Sequence, residues 1–302
     1  MRWQCSSLLF PHRIKRKMEL ATQIAISGIL MGVIFALIAL GLTLIFGVMN
    51  IVNFAHGEFL MIGMYSAFLT STFLSIEPLL SLPIVAVVGF LLGIMSYYLL
   101  IRYLLRGPML AQLFGTFGLM LFLRYLVMFI MGPSPVAIQE GILIGKTVSL
   151  SWFTFDMSKL IAAGFSILLF VLIYWMIERT KLGRALRATS IEADAARYMG
   201  IDTEKMNALA WGIGGATVAI AGGLLANFYY LTPTVGMLFV MIAFATVALG
   251  GFGSVRGAFL AGIIIGVIEM VAGQYLSQIK LSFVYLTYFL VVVFRPRGLF
   301  GW

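Results

Sequence analysis

Nine apolar runs divide the chain, at about 21–47, 57–76, 79–101, 109–131, 158–178, 207–230, 237–250, 257–272 and 281–294. Their hydrophobic positions are continuous instead of alternating with period two, which excludes a membrane β-barrel and predicts α-helices. Most approach the roughly 20 residues a helix needs to cross about 30 Å of hydrocarbon. The last three are short, and Gly250-Gly251-Phe252-Gly253 separates two of them, so broken or partly re-entrant helices are expected there. The pattern predicts an all-α, polytopic transmembrane helix bundle of about eight or nine spans, broken near 47–57 and 250–257.

Composition narrows the class. Of 302 residues 62% are hydrophobic and 10% charged, where a soluble domain has about a quarter charged. Mean hydropathy is +1.07. A water-soluble surface cannot be built from that supply, so soluble enzyme, nucleic-acid binder and secreted module are excluded, and the expected surroundings are membrane lipid. A lone Cys5 excludes an internal disulfide or a cysteine metal site, and His12 and His56 are too few for a histidine cluster.

The net charge of +9 changes the picture through where its charges sit. Eleven of the 31 charges fall between Glu178 and Lys205, so the basic excess is first an orientation signal. Arg179, Lys181, Arg184, Arg187, Arg197 and Lys205 mark one connection, Arg295 and Arg297 the tail, and Arg102 and Arg106 the turn near Gly107. Counting nine crossings back from a cytoplasmic C-terminus puts all three on the cytoplasmic side and the base-poor loop 132–157 outside. Against this count, Arg13, Lys15, Arg16 and Lys17 precede the first span on its outer side. The run that follows, about 26 residues, exceeds the 7–15 of a secretory signal. A native start at Met18 removes the conflict: residues 1–17 become a basic extension, 18–302 a single transmembrane domain, and the net charge falls from +9 to +4 because the extension carries five bases and no acids.

Between the first two runs lies the polar stretch from Asn50 to Glu58. Asn50, Asn53 and His56 recur every three residues and would share one face of a helix. Irregular, polar backbone inside a membrane is tolerated only where protein or a water-filled cavity satisfies it. Asn50, Asn53, His56 and Glu58 are therefore candidates for lining a pathway. The plainer reading is a connection in which Asn53 caps the second helix and Glu58 occupies its first turn; the two roles are compatible. Gly250, Gly251, Gly253 and Gly257 are candidates for a hinge or for close helix packing. Two further charges fall within apolar runs, Arg124 and Glu269. Each must face the bundle interior, a partner or water. A direct pair between them is one arrangement, and Glu269 is expected near the outer interface, with a structural role favoured for both.

The connection at 179–206 reads as more than a basic loop. Ala185–Ala188 and Ile191–Met199 favour helix, and Gly200 suits a C-terminal stop. Leu186 or Ala188, with Ala195 and Met199, would form a small apolar face beside exposed Arg187, Glu192, Asp194 and Arg197. That is a short surface helix suited to docking another protein.

Four motifs, in order from about Met18 to the C-terminus, carry a resemblance. The run Gly183-Arg184 to Arg187-Ala188, with Glu192, Ala195 and Gly200-Ile201, resembles the cytoplasmic coupling loop of ABC-transporter permeases. The segment Phe46 to Phe59 resembles the N-terminal signature of the LivH-type permease for branched-chain amino acids. Ala248 to Ala258, followed by Gly262, Gly266 and Glu269, and the closing Phe294 to Gly301 match the same family. One departure stands out: members often have a lysine a few residues before the Gly-Gly motif, where this chain reads Val240-Met241-Ile242-Ala243-Phe244.

The resemblance implies a bacterial-type inner-membrane importer. Its parts are two related permeases around the pathway, two ABC ATPases at the coupling loop, and an extracytoplasmic solute-binding protein. The chain has no Gly-x-x-x-x-Gly-Lys-Ser/Thr phosphate loop, so no cofactor is expected on it and ATP is used by partner subunits. Urea, short amides or other amino acids remain open as solutes. The competing class, an ion-coupled secondary transporter or channel, needs ionisable groups deep in the spans, and apart from Arg124 the runs are nearly free of them.

Overall fold

Each of the nine apolar runs is a helix in the computed structural model, which describes residues 9–139, 141–150, 153–295 and 298–300. Helix α1 runs Leu9–Met49, α2 His56–Leu74, and α3 Leu82–Ser96, the last continuing through a π-helical turn at Tyr97–Ile101 into the short α4, Arg102–Leu104. Then come α5, Met109–Met131; a hairpin of β1, Thr147–Leu150, and β2, Phe153–Asp156; and α6, Met157–Arg179. The basic connection folds as α7, Lys181–Ile191, and α8, Ala193–Tyr198. Helices α9, Thr203–Leu225, α10, Val235–Gly250, α11, Val255–Tyr275, and α12, Lys280–Phe294, complete the chain. Of the basic extension expected at 1–17, residues 1–8 lie outside the described residues, as do Pro296, Arg297 and Gly301 of the closing motif.

Among the described residues seven segments are long and apolar enough to cross a membrane. The two predicted spans outside that set are α2, which carries His56 and Glu58 in its first turn, and α10, with 16 residues. The expectation that the run at 257–272 is short is corrected, because α11 extends to 21 residues. The β1–β2 hairpin, antiparallel with Thr147 opposite Asp156, was not expected in the outer loop.

Lipid gives helices no hydrophobic reason to associate, so close packing through small residues has to hold them. Gly28, Gly32 and Ala36 repeat every four residues on α1 and face Gly262 and Gly266 of α11. A Cβ added to Gly32 would lie 2.6 Å from the Ile263 Cα, and one on Gly262 would lie 2.7 Å from the Ala36 Cα. Helix α9 is the second hub. Its Gly214 meets Gly41 of α1, its Gly215 meets Gly89 of α3, and its Ala219 lies against Gly63 of α2. Buried Trp211 donates its indole N–H to the Ser96 hydroxyl at 3.0 Å, tying α9 to α3 at the turn into the π segment.

At the end of α1 Asn50 takes φ 52°, a left-handed conformation that asparagine tolerates better than most residues. The chain then doubles back. His56 donates Nε2–H to the carbonyl of Ile38 at 2.9 Å, and Ile38 lies about 16 Å up α1 from Met49 at 1.5 Å per residue. The connection, with Phe54 and Ala55 forming the turn that leads into α2, and the length of the imidazole side chain together cover that distance. The segment Asn50–Ala55 therefore climbs back beside α1, and α2 begins part-way along it. The sequence predicted a break here, and the structure makes the break re-entrant.

Candidate functional site

The re-entrant segment is walled by three helices. From α5, the Thr116 hydroxyl donates to the Val52 carbonyl at 3.0 Å, and the Phe117 ring stands edge-on to Phe54 with centroids 6.2 Å apart. From α10, Phe244 lies 5.4 Å from Phe54, and Val240 is so close to Gly57 that a Cβ there would stand 2.9 Å from the Val240 Cβ. The stretch Val240–Phe244 thus packs an apolar face on the break. From α1, the Ile38 carbonyl receives His56.

Glu58 lies in the first turn of α2 and is fully buried. Arg124 of α5 reaches it with Nη2 at 2.6 Å and Nε at 3.2 Å, both to Oε1, while Glu58 Oε2 is buried without a partner. Buried and unpartnered atoms cluster nearby in sequence: both amide atoms of Asn53, and Nδ1 of His56.

Several sequence expectations are corrected here. Asn50, Asn53 and His56 do not share a helical face, since residues 50–55 are not helical, Asn50 is exposed and the other two are buried. Asn53 does not cap α2: the N-cap is Ala55, without a side-chain cap bond. Arg124 and Glu269 do not pair. Arg124 takes Glu58, and Glu269, buried on α11, accepts from Lys280 Nζ at 2.7 Å at the start of α12. Lys280 was missed because it sits at the edge of an apolar run, where snorkelling lysines are unremarkable.

The glycine-rich break closes on the first one. Helix α10 ends at Gly250, Gly251 and Gly253 take φ of 97° and 79°, and the Ser254 hydroxyl accepts from Gly257 N–H at 3.1 Å to cap α11. Gly250 and Gly257 meet backbone to backbone; a Cβ on Gly250 would stand 2.7 Å from the Ala258 nitrogen. Phe252 stacks 4.5 Å from Phe46, and Gly253 lies beside Gly47. Both breaks therefore flank the same end of α1.

The basic connection lies at that end as well. The Thr180 hydroxyl accepts from Gly183 N–H at 3.1 Å and caps α7. Gly183 packs against the Ile177 carbonyl, and Leu186 is buried. Arg187 donates Nη1–H to Glu178 Oε2 at 2.6 Å and Nη2–H to the Glu178 carbonyl at 3.2 Å, pinning α7 to the end of α6. Arg184 reaches the Arg179 carbonyl, Glu192 separates α7 from α8, and Gly200, at φ 86°, ends the turn after α8. The expected apolar face of Leu186 or Ala188 with Ala195 and Met199 is corrected: Leu186 and Ala196 point inward, whereas Ala195 and Met199 are exposed. The apolar groups left outward are Ile191, Tyr198 and Met199, each more than 80% exposed. A cleft of about 520 Å³ separates α7 from the end of α1 and the Gly253–Arg256 turn. Beyond it, Asp202 accepts from Lys205 N–H and caps α9; the side-chain bond to Lys205 holds the Asp202 carboxyl below the usual carboxylate range.

The bundle, its helices broken twice and its basic connection folded into surface helices, is that of a polytopic helical membrane protein. Residues 24–294 match the family model described as "Branched-chain amino acid transport system / permease component". The chain is 33% identical over 293 residues to the high-affinity branched-chain amino acid transport system permease protein BraD of Pseudomonas aeruginosa, covering 91% of this chain and 94% of that one. It is 31% identical over 290 residues to LivH of Escherichia coli, with the same coverage. A probable LivH of Methanocaldococcus jannaschii is 31% identical over 81% of this chain and 79% of its own. No solved structure matches. The chain belongs to the branched-chain amino acid transport system permease family.

Proposed function

We propose that this chain is one of two membrane subunits of an ATP-driven importer for branched-chain amino acids in a bacterial-type inner membrane. Two ATPases would dock on α7–α8, and an extracytoplasmic binding protein would deliver the solute. The observation that carries the reading is full-length similarity to BraD and LivH, whose names state branched-chain amino acid transport. The geometry of the basic connection supports the coupling role. Helix α7 is fixed to α6 by Gly183 and by the Arg187–Glu178 pair, and it borders the end of α1 where both breaks meet. A pull on α7–α8 by closing ATPases is passed to α6 through the backbone packed at Gly183, and from α6 to the Gly250–Gly257 turn through the Arg256–Tyr174 hydrogen bond, not as slack in a loop. Such a shift re-orients the helices around the break and exposes the pathway to alternate sides.

The test is reconstitution in proteoliposomes of this chain with its second permease, ATPases and binding protein. ATP-driven uptake of L-leucine, competed by L-isoleucine and not by urea, is expected. Transport by this chain alone without ATP, or uptake of urea in place of leucine, would overturn the assignment.

A further inference from the structure

Helix α5 sits on the bundle more lightly than its neighbours do. Its buried residues are Thr116, Met120 and Leu123, while Phe114, Phe122, Phe129 and Ile130 are each more than 60% exposed. Three contacts seat it on the re-entrant break: Thr116 on the Val52 carbonyl, Phe117 on Phe54, and Arg124 on Glu58.

The break itself carries polar chemistry that the scaffold leaves unused. Asn53 is fully buried with neither its amide oxygen nor its amide nitrogen bonded, His56 has Nδ1 free, and Glu58 has Oε2 free. Buried polar side chains in folded proteins are satisfied as a rule, so each exception calls for an explanation. One of the four, Glu58 Oε2, belongs to the buried ion pair itself, and a buried carboxylate oxygen left unbonded there is what a site awaiting a cationic group leaves behind. If the pair served only to hold α5 down, it would be an inefficient fastener, since apolar replacements of buried pairs often hold as well or better.

We propose that Glu58 and Arg124 form a latch opened by the solute itself. A zwitterionic α-amino acid replaces each partner for the other, its carboxylate on the Arg124 guanidinium and its ammonium on Glu58, while α5 moves off the break. The inference rests on the importer reading above and names the recognition chemistry within it. The exchange is balanced: one buried pair becomes two, each side remains compensated, and no net charge enters the membrane. A guanidinium receives a carboxylate through two parallel N–H donors, and Glu58 has a spare oxygen for an ammonium. Beside the pair, Phe54, Val240 and Phe244 offer an apolar wall for an aliphatic side chain. A neutral amide or urea has no charges to exchange and leaves the latch shut.

The experiment uses the reconstituted complex with L-leucine as probe, scoring uptake, ATP hydrolysis and assembly together. Glu58→Gln with Arg124→Gln should assemble and hydrolyse ATP while uptake falls at least about tenfold. The inverted variant, Glu58→Arg with Arg124→Glu, separates recognition from scaffolding: it restores a pair but presents the charges in reverse, so uptake should stay low. A third arm leaves the pair intact. In a Cys5→Ser background, Val52→Cys and Thr116→Cys, which are neighbours across the Thr116–Val52 hydrogen bond and lie outside the apolar wall, are joined by a reducible bis-methanethiosulfonate cross-linker. Cross-linking should stop uptake, and reduction should restore it. Wild-type uptake in the inverted variant, or undiminished uptake with α5 cross-linked, overturns the latch; if the charge variants fail to assemble, the cross-linked arm decides alone. Loss of ATP-driven L-leucine uptake in the wild-type complex would instead remove the importer reading on which the latch depends.

Discussion

The α1–α11 seam brings backbone against backbone, and Gly32→Ala probes it. A Cβ at residue 32 would lie 2.6 Å from the Ile263 Cα and 2.7 Å from the Gly262 carbonyl oxygen. Both are backbone atoms and cannot rotate away. Relief to ordinary contact, about 3.4 Å, requires the two helices to part by about 0.8 Å, which loosens the dispersion contacts along the seam. Overpacking of this kind costs about 1–3 kcal/mol, against a gain of up to about 1 kcal/mol from replacing glycine by alanine in a helix. Gly118→Ala supplies the control, because nothing lies within 4 Å of its added Cβ. It changes the same atoms in a helix and keeps only the gain. The two variants should therefore differ by about 1–3 kcal/mol, with Gly32→Ala the less stable. The assay is detergent-to-SDS unfolding of the purified permease, followed by tryptophan fluorescence. If the two variants fall within about 0.5 kcal/mol of each other, the close approach of α1 and α11 is wrong.

Other perturbations test the remaining elements. Ser96→Ala strands the buried Trp211 indole N–H and should cost about 1–3 kcal/mol in the same assay, whereas Ser96→Thr, which keeps the hydroxyl, should cost less. Arg187→Ala removes a half-exposed pair worth under about 1 kcal/mol, so stability should barely change. Uptake by the reconstituted complex should nevertheless fall while ATP hydrolysis persists, and exchanging the charges, Arg187→Glu with Glu178→Arg, should recover part of it. Asp202 gives the pH dependence. Its carboxyl is held below the ordinary value, about 3.9, so its stabilising cap is present at neutral pH and lost as pH falls through that lowered value. The protection of the Lys205 amide, taken relative to its intrinsic exchange rate at each pH, should fall at low pH, and Asp202→Asn, a cap that does not titrate, should flatten the profile.

Much of the fold was legible because its signals are local. A continuous apolar run is a helix in lipid whatever its neighbours, since the backbone has no other way to satisfy itself there. The glycines at 250–257 and the asparagines at 50–53 marked interruptions for the same reason. The folded connection at 179–206 was legible from its alanines, mixed charges and terminal glycine, although its inward face was not. Ala195 and Ala196 are equally apolar, and only packing against the neighbouring helices decides which of them is buried.

The sequence by itself determined that this is a helical membrane protein, where its helices break, and which of its connections folds into short helices. The tertiary structure decided partnership. Arg124 stands 66 residues from Glu58 and Glu269 stands 11 from Lys280, and no periodicity announces either pair. It also decided that the first break re-enters the bundle, leaving Asn53 buried and unbonded instead of capping α2. The physical reason is that burial cost is set by residue type, which a linear pattern records. The compensation of a buried charge depends on distance in space, which exists only once the helices have packed.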